Sequence, residues 1–272
     1  MSNGVDSHCH VFDTTLFPYS PDAGYRPPPQ EAGTPAQLAA VLDAHDLSHA
    51  VLVNPTSGYG DDNRCMVAAL RASGGRFKGI ARVRPGAASR TLTDLRDAGV
   101  VGFRLDLITD GVAVLHDAAM PGLLAQARDM RWLVQVQCEG DQLHDARPLL
   151  RDARVPLVFD HCGRPDALRG IDQAGFQALL EFGREGHHVK LSGPFRFVNA
   201  FAPAAAVEPF VAALLDTFTP KRCVWGSDWP FLRLPLRMDY GPVLANLHRW
   251  LPDDRDRREV LRETPARLFG FA

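Results

Sequence analysis

The sequence predicts a single (β/α)8 TIM barrel, in which eight parallel strands alternate with helices and close into a ring. Three observations support this α/β fold class. Short apolar runs alternate with amphipathic helical patterns about eight times along the 272 residues. Such runs are typical of strands buried on both faces of a parallel sheet, and eight units are the number that closes a barrel. No glycine-rich fingerprint follows the first run, which argues against an open doubly wound sheet.

The first half of the chain supplies four of the predicted strands. Strand one is followed by residues 12–33, which are rich in proline and lack periodicity. A loop of this length is usually functional or disordered, and a lid over the site is a role open to it. Thr34 and Pro35 predict a helix start, because threonine caps helices and proline suits the first helical position. The predicted strands cover 5–11, 50–53, 79–83 and 100–107, and the further helical segments cover 61–74 and 92–98.

The second half repeats the strand and helix unit. Each helical segment is apolar along one face and is followed by a short apolar strand. The predicted helices cover 121–130, 141–153, 174–186 and 207–218, with a last helix over 255–269, and the predicted strands cover 133–137, 156–161, 189–192 and 223–226. We therefore expect residues 1–272 to form one barrel domain with a long loop after strand one and a C-terminal helix.

Composition excludes several classes of function. The net charge is −2 and the arginines are scattered, so neither nucleic acid nor an anionic membrane surface is an expected partner. No run of about 18 apolar residues predicts a membrane-spanning helix, and the N-terminus lacks the pattern of a signal peptide. The five cysteines are odd in number and lack zinc-ribbon spacing, which is typical of reduced, buried thiols and predicts a cytoplasmic protein. Oligomeric state is not readable from these patterns.

Two histidines and a distant aspartate are the main candidates for catalysis. His8 and His10 lie one residue apart, so their side chains share one face of strand one. His161 follows strand six and Asp228 follows strand eight, and in a barrel the carboxyl ends of all strands meet at one face. Taken singly, each histidine could be a hydrogen-bonded core residue and Asp228 could cap a turn. Together they predict an active site, with Cys9 packing on the opposite face.

Arginines and hydroxyl groups follow other strands at the same face. Arg104, Arg164 and Arg196 follow or end strands four, six and seven, and Thr56 and Ser57 follow strand two. Any one arginine could be an ordinary solvated side chain. Because guanidinium groups bind carboxylates through two parallel hydrogen bonds, the set predicts a small anionic substrate.

Five motifs resemble the amidohydrolase superfamily, and more narrowly its branch with 2-pyrone-4,6-dicarboxylate lactonase and the sugar lactonases. The motifs are VDSHCHVFD at 5–13, DHCGRP at 160–165, KLSG at 190–193, WGSDWP at 225–230 and TPARLFG at 264–270. The resemblance covers essentially the whole chain. It implies a lactone hydrolase in which Asp228 is the general base and His8, His10 and His161 polarise the carbonyl. It also implies that the arginines bind substrate carboxylates. The resemblance leads us to expect a second arginine after strand four, but residues 107–110 contain none.

The resemblance also frames the question of a metal. Many superfamily members bind one or two divalent metals through a lysine or glutamate on strand four and histidines on strands five and six. This chain has Arg104 and Asp106 on strand four and no histidine in strand five, so a binuclear centre is not expected. The lactonase branch is implied to need no cofactor. A single zinc or manganese ion on His8, His10 and Asp228 stays open, because three ligands and a water are the usual catalytic set.

Other functions fit the same residues. The chain could be a sugar lactonase, or a metal-dependent decarboxylase or deaminase of the same superfamily. It could also be a barrel that binds a ligand without turnover, because fold does not fix function. Metal content and activity on a panel of lactones would discriminate among these.

Overall fold

One sheet of eight parallel strands forms the centre of the molecule, in the order β1 to β8. The computed structural model describes residues 4–198 and 204–271. Neighbours in sequence are neighbours in the sheet throughout, as in a (β/α)8 barrel. The predicted fold is therefore confirmed. The strands are β1 Gly4–Cys9, β2 Leu47–Val53, β3 Phe77–Ala81, β4 Val100–Asp106, β5 Leu133–Gln137, β6 Leu157–Phe159, β7 His188–Ser192 and β8 Cys223–Gly226.

Backbone contacts between the first and last strands close the ring. The backbone N–H of Asp228 donates to the carbonyl of His8, and that of His10 donates to the carbonyl of Trp229, both at 2.8 Å. Gly226 permits this approach, because a Cβ at its position would lie 2.6 Å from the Cβ of His8. The two segments that carry the predicted catalytic residues are thus joined directly.

Helices connect and cover the strands. The main ones are α1 Pro35–Ala44, α2 Thr56–Tyr59, α3 Arg64–Ala72, α4 Ser89–Asp97, α5 Leu107–Asp110, α6 Met120–Asp129, α7 Gln142–Arg151, α8 Ala174–Arg184, α9 Glu208–Phe218, α10 Tyr240–Trp250, α11 Asp254–Arg258 and α12 Thr264–Phe269. The predicted start of α1 is confirmed in detail. Thr34 accepts a hydrogen bond from the backbone of Gln37, and the Gln37 side chain accepts one from the backbone of Thr34. No helix of the described residues is long and apolar enough to cross a membrane.

Several predicted element bounds need correction. Strand one ends at Cys9 and strand six at Phe159, both earlier than predicted, because the residues that follow turn towards the mouth of the barrel. The predicted helix over 255–269 is divided by a π-helical turn at Glu259–Glu263. Helix α10 was not predicted, although its buried Tyr240, Val243 and Leu247 have helical spacing.

The apolar core has two parts. A large cluster lies between the outer faces of the strands and the helices, and it includes Leu52, Phe103 and Leu191. A smaller cluster fills the barrel interior with valines such as Val5 and Val224 and is closed by Phe269 of α12. All five cysteines are buried and free, in line with the expectation of packed thiols. The interior cluster does not extend to the carboxyl ends of the strands, where polar residues line the barrel instead.

Candidate active site

The four predicted catalytic residues converge at the carboxyl ends of the strands. The Nε2 atoms of His10, His8 and His161 lie 3.3, 3.7 and 3.9 Å from Oδ1 of Asp228. All four side chains are buried. A carboxylate surrounded by three imidazole nitrogens is an arrangement that can move protons or hold a cation.

An arginine holds the other oxygen of this carboxylate. Nε of Arg196 donates to Oδ2 of Asp228 at 2.6 Å. Burial would raise the pKa of Asp228, but the Arg196 guanidinium and the neighbouring His161 and His10 hold it well below its usual range. The carboxylate is therefore ionised, and its paired state makes it a weak base.

The ring nitrogens of His10 have distinct roles. Nδ1 lies 2.8 Å from the carbonyl oxygen of Val53, which can only accept, so Nδ1 carries a hydrogen. Nε2 then faces the ionised Asp228 at 3.3 Å. Two lone pairs at this distance repel each other, so either a second proton or a bound cation belongs between His10 and Asp228.

His161 is held in its neutral form. Its Nδ1 lies 3.0 Å from the hydroxyl of Ser192. Burial, helped by the positive charges of Arg196 and Arg164, lowers the pKa of His161 to about 4, even though Asp228 opposes the change. If the Ser192 hydroxyl donates to Nδ1, the hydrogen of His161 is on Nε2 and points towards Asp228.

A set of buried polar groups lies behind His8. Nζ of Lys190 lies 3.1 Å from Nδ1 of His8, 2.6 Å from Oε1 of Gln135 and 3.3 Å from Oδ1 of Asp160. Nε2 of Gln135 donates to Oδ2 of Asp160 at 2.8 Å. All four residues are fully buried. We call Gln135, Asp160 and Lys190 the inner polar cluster.

The inner polar cluster sets the protonation of His8. Burial, together with the positive charge of Lys190, holds the pKa of His8 well below its usual range. Burial works against ionisation of Asp160, but Lys190 and His8 lower the pKa of that carboxyl. Because the ammonium donates to Nδ1, the hydrogen of His8 is on Nε2, an atom that has no hydrogen-bond partner. His8 therefore presents an N–H towards Asp228.

Sequence reasoning placed Lys190 only within a motif and gave Gln135 no role. The available signal was a lysine in an otherwise apolar strand, since a buried ammonium needs a partner. Asp6 was also missed. Its carboxyl accepts hydrogen bonds from the backbones of His8 and Ser227 and from the hydroxyl of Tyr240, so it ties β1 to the segment after β8.

A cavity of about 650 Å³ opens above Asp228, and it contains most of the predicted residues. His10, His161 and Asp228 lie in its wall, whereas His8 lies behind it. The loop after β1 contributes Gly24 and Tyr25 to the wall of the cavity, and its role as a lid stays a prediction. All five predicted substrate-binding residues line the cavity, namely Thr56, Ser57, Arg104, Arg164 and Arg196.

The predicted substrate-binding residues differ in how they are held. Arg104 is buried and donates from Nη2 to the hydroxyl of Thr56 at 3.1 Å. The Thr56 hydroxyl in turn donates to Asp106 at 2.9 Å, so its single hydrogen is used and it orients Arg104. Arg164 pairs with Glu139 at 3.0 Å. Two other arginines near the strand ends, Arg82 and Arg84, pair with Asp61 and Asp110 and do not line the cavity.

Several residues in and next to the site have strained backbone conformations. His161, Cys162 and Arg164 have positive φ angles of 49°, 56° and 45°, and Asp228 has φ of 63°. This conformation is uncommon for residues other than glycine and is of order 1–3 kcal/mol unfavourable for each. Strain of this kind is retained where surrounding contacts impose it, commonly at functional sites.

The donor set fits a single metal ion. His8, His10 and Asp228 offer three ligand atoms that all lie within 4.8 Å of one another, and His8, Asp160 and His161 form a second such group. A histidine that donates from Nδ1 to a carbonyl, as His10 does, is typical of metal ligands. Against an ion, Arg196 and Lys190 place two positive charges beside Asp228 and His8.

Comparison with known proteins identifies the family. The family model described as Amidohydrolase matches residues 5–271. The 2-pyrone-4,6-dicarboxylate hydrolase of Comamonas testosteroni is 31% identical, over 98% of this chain and 90% of the relative. The 4-sulfomuconolactone hydrolase of Rhizobium radiobacter is also 31% identical, over 97% and 89%. A crystal structure of a probable 2-pyrone-4,6-dicarboxylic acid hydrolase from Acinetobacter baumannii with citric acid bound has a TM-score of 0.90 and 27% identity, over 99% of this chain and 100% of that chain. The chain belongs to the amidohydrolase family.

Proposed function

We propose that this amidohydrolase is a lactone hydrolase whose substrate carries a carboxylate, and that it works without a bound metal. The observation that carries the proposal is the convergence of three imidazoles and Arg196 on the carboxylate of Asp228, beneath a cavity lined with arginines. The names of the Comamonas and Rhizobium relatives support it, because each describes a hydrolase of a lactone that bears acidic groups.

The reaction begins with the lactone carbonyl near the Nε2 atoms of His8 and His161. Both histidines are neutral and donate from Nε2, so they stabilise the negative charge that develops on the carbonyl oxygen. The ring of His10, whose Nδ1 donates to the carbonyl of Val53, is held beside the same carboxylate. Donors that are already oriented need no reorganisation during the reaction.

Asp228 moves the proton. A water molecule attacks the carbonyl carbon, and Asp228 takes a proton from it as the new C–O bond forms. The ring C–O bond then breaks, and Asp228 returns the proton to the departing ring oxygen. The product carries a hydroxyl group and a new carboxylic acid, which releases its proton to solvent, and Asp228 is again ionised.

Substrate binding increases the basicity of Asp228 in this scheme. In the structure Arg196 contacts the carboxylate at 2.6 Å, which lowers the pKa of Asp228 and weakens it as a base. An anionic group of the substrate competes for the same guanidinium. When that group shares Arg196, the carboxylate becomes a stronger base, so an anionic substrate activates its own hydrolysis.

The metal-free part of the proposal rests on charge. If zinc or manganese is bound, His8, His10 and Asp228 would hold it, and it would act as a Lewis acid that polarises the carbonyl. Arg196 and Lys190 contact two of these three residues, and their positive charges lower the affinity for a cation. Imidazole N–H donors supply the stabilisation that a Lewis acid would otherwise provide.

The test is hydrolysis of a lactone panel by protein assayed for metal, with and without a chelator. We expect chelator-insensitive turnover of carboxylated lactones by protein with substoichiometric metal. Asp228→Asn should lower kcat by about 10²–10⁴-fold while circular dichroism stays unchanged. Asp94→Asn, on the exposed face of α4, is the matched control.

Each contrary outcome points to a different function. Loss of lactone hydrolysis on chelation, restored by zinc or manganese, would refute metal independence, whereas metal-dependent activity on a non-lactone alone would favour a decarboxylase or deaminase. Faster turnover of neutral sugar lactones than of carboxylated lactones would contradict the proposal that the substrate carries a carboxylate. Near-normal activity of Asp228→Asn would remove Asp228 from the mechanism.

A further inference from the structure

Of the four arginines that line the cavity, two form no salt bridge with a described residue. Arg164 pairs with Glu139 at 3.0 Å and Arg196 pairs with Asp228 at 2.6 Å. Within residues 4–198 and 204–271, Arg104 and Arg233 lie within 4.0 Å of no carboxylate oxygen. Arg104 is linked to the carboxylate of Asp106 only through the hydroxyl of Thr56, and Glu31 contacts the backbone of Arg233, so neither guanidinium is directly paired among the described residues.

These two charges lie on opposite walls. Arg104 is on β4 and Arg233 follows β8, and β4 and β8 are four strands apart in a ring of eight. Arg104 is only 5% exposed, and its Nε is a buried donor without a partner. Arg233 is exposed at the mouth. A ligand in the cavity would have one guanidinium at each end.

Arg233 is held in place by the loop after β1. Its backbone N–H donates to Oε2 of Glu31 at 2.9 Å, and the hydroxyl of Tyr25 donates to the same oxygen at 2.7 Å. The guanidinium of Arg233 lies 4.3 Å from the centre of the Tyr25 ring, within the range of a cation–π contact. Glu31 thus fixes the two residues relative to each other without neutralising the arginine.

The backbone of Arg233 is strained. Its φ is 58°, in the left-handed region that glycine or asparagine adopts more readily. Such strain is retained where the surroundings impose the conformation, and it is a reason to look for a role of the side chain. Nη1 of Arg196 donates a hydrogen bond to the carbonyl of the neighbouring Leu232, so Arg196 and Arg233 lie on the same wall of the cavity.

We propose that Arg233 is a specificity-determining residue that binds one anionic group of a dianionic lactone, while Arg104 binds the other. The inference rests on the proposed lactone hydrolysis and adds Arg233 to the arginines already expected to bind substrate carboxylates. The group on the β8 wall is shared between Arg196 and Arg233.

The experiment compares a dicarboxylate with its two monocarboxylates. The ligands are 2-pyrone-4,6-dicarboxylate, 2-pyrone-4-carboxylate and 2-pyrone-6-carboxylate. Arg233→Met should raise KM for the dicarboxylate about 10- to 100-fold, with kcat changed less than about threefold, as a charge-assisted contact is lost. For the monocarboxylate that lacks the group on the β8 wall, KM should stay within about twofold. Arg104→Met should show the opposite preference between the two monocarboxylates.

Two further variants test the geometry. Arg237→Met is the matched control, because Arg237 lies in the same segment, pairs with Asp239 and does not line the cavity. We expect it to leave every KM unchanged. Tyr25→Leu removes the stacking partner and should raise KM for the dicarboxylate only, by about two- to fivefold.

Binding without turnover separates this inference from the proposed function. Calorimetry with isophthalate, a dicarboxylate that cannot be hydrolysed, should show weaker binding to Arg233→Met, whereas Arg237→Met should bind it as tightly as the parent protein does. If no lactone is hydrolysed but this difference appears, the two-anion site stands and the proposed reaction fails. If lactones are hydrolysed and Arg233→Met affects all ligands equally or none, the role of Arg233 is overturned.

Discussion

The inner polar cluster and the arginines of the cavity wall carry charge in opposite ways. Within the cluster, Gln135, Asp160 and Lys190 are fully buried, and contacts of 2.6–3.3 Å join them. On the wall, Arg233 is exposed and lies within 4.0 Å of no carboxylate oxygen of the described residues, and the partner of Arg164 is half exposed. A buried charge without its partner is strongly unfavourable, whereas a charge at the wall can exchange water for a ligand. In the proposed reaction, the cluster therefore orients the catalytic histidine, and the arginines of the wall select the substrate.

The variant with the largest expected effect removes Lys190 from the inner polar cluster. We expect Lys190→Met to destabilise the protein by about 3–5 kcal/mol, because Asp160 keeps a buried charge without its cation. Activity should fall as well, since His8 loses the donor that sets its tautomer. Urea unfolding and kcat measure the two effects.

A double variant and a control sharpen that prediction. Lys190→Met combined with Asp160→Asn removes both charges and should recover more than half of the lost stability. Lys221→Met, at an exposed position, should change stability by less than about 0.5 kcal/mol. A Lys190→Met protein of normal stability would show that the buried ion pair does not hold the barrel together.

The second prediction concerns the wall. Arg196→Met should raise KM for carboxylated lactones about 10- to 100-fold, because a charge-assisted hydrogen bond to the substrate is lost. Stability should fall as well, because the buried carboxylate of Asp228 loses the guanidinium that pairs with it. Steady-state kinetics on carboxylated and neutral lactones provide the measurement. An unchanged KM would count against an anionic substrate.

The third prediction is a dependence of stability on pH. Burial lowers the pKa of His161 and of His188 to about 4, from an ordinary value of 6.5. The unfolded chain therefore binds these protons first, so the stabilisation is complete above pH 6.5 and is lost as the pH falls towards 4. The loss should reach about 2–3 kcal/mol for each histidine by pH 4.5.

His188 separates the two contributions. It lies at the start of β7, away from the cavity, so His188→Asn should flatten the pH dependence of the unfolding free energy while leaving KM unchanged. Urea unfolding at pH 7.5 and 4.5 makes the comparison. Equal slopes in the variant and the parent would show that His188 is not the titrating group.

The smallest effect is expected at Arg84, near the mouth but outside the cavity. Its side chain is 52% exposed and pairs with Asp61 and Asp110. Exposed ion pairs contribute about 0–1 kcal/mol, so Arg84→Met should change the unfolding free energy by no more than that. KM for carboxylated lactones should not change. A large rise in KM would show that residues after β3 also contribute to substrate binding.

The barrel and the convergence of its catalytic residues could be predicted because both follow from local patterns. Alternating apolar runs indicate eight strands, and the ends of parallel strands meet at one face, so His8, His161 and Asp228 had to come together. The roles of these residues were inferred from family resemblance, and they stay predictions until variants are measured.

The inner polar cluster and Arg233 could not be predicted in the same way. Lys190 contacts His8 and Gln135 across 182 and 55 positions of sequence, and no local period encodes such a contact. Arg233 follows β8 in a segment without periodicity, and its position depends on Glu31 at the other end of the chain. Thr56 shows a similar limit, because only the structure reveals that Asp106 takes its hydroxyl hydrogen.

The backbone bonds that close the ring have a consequence for how activity arises during folding. His8 and Asp228 are joined through their main chains, so the proposed base reaches the histidines only when the eighth strand docks on the first. A chain with seven strands in place has its imidazoles but no proton acceptor between them. Turnover can therefore serve as a reporter of the final docking event, and recovery of activity during refolding should lag behind recovery of secondary structure.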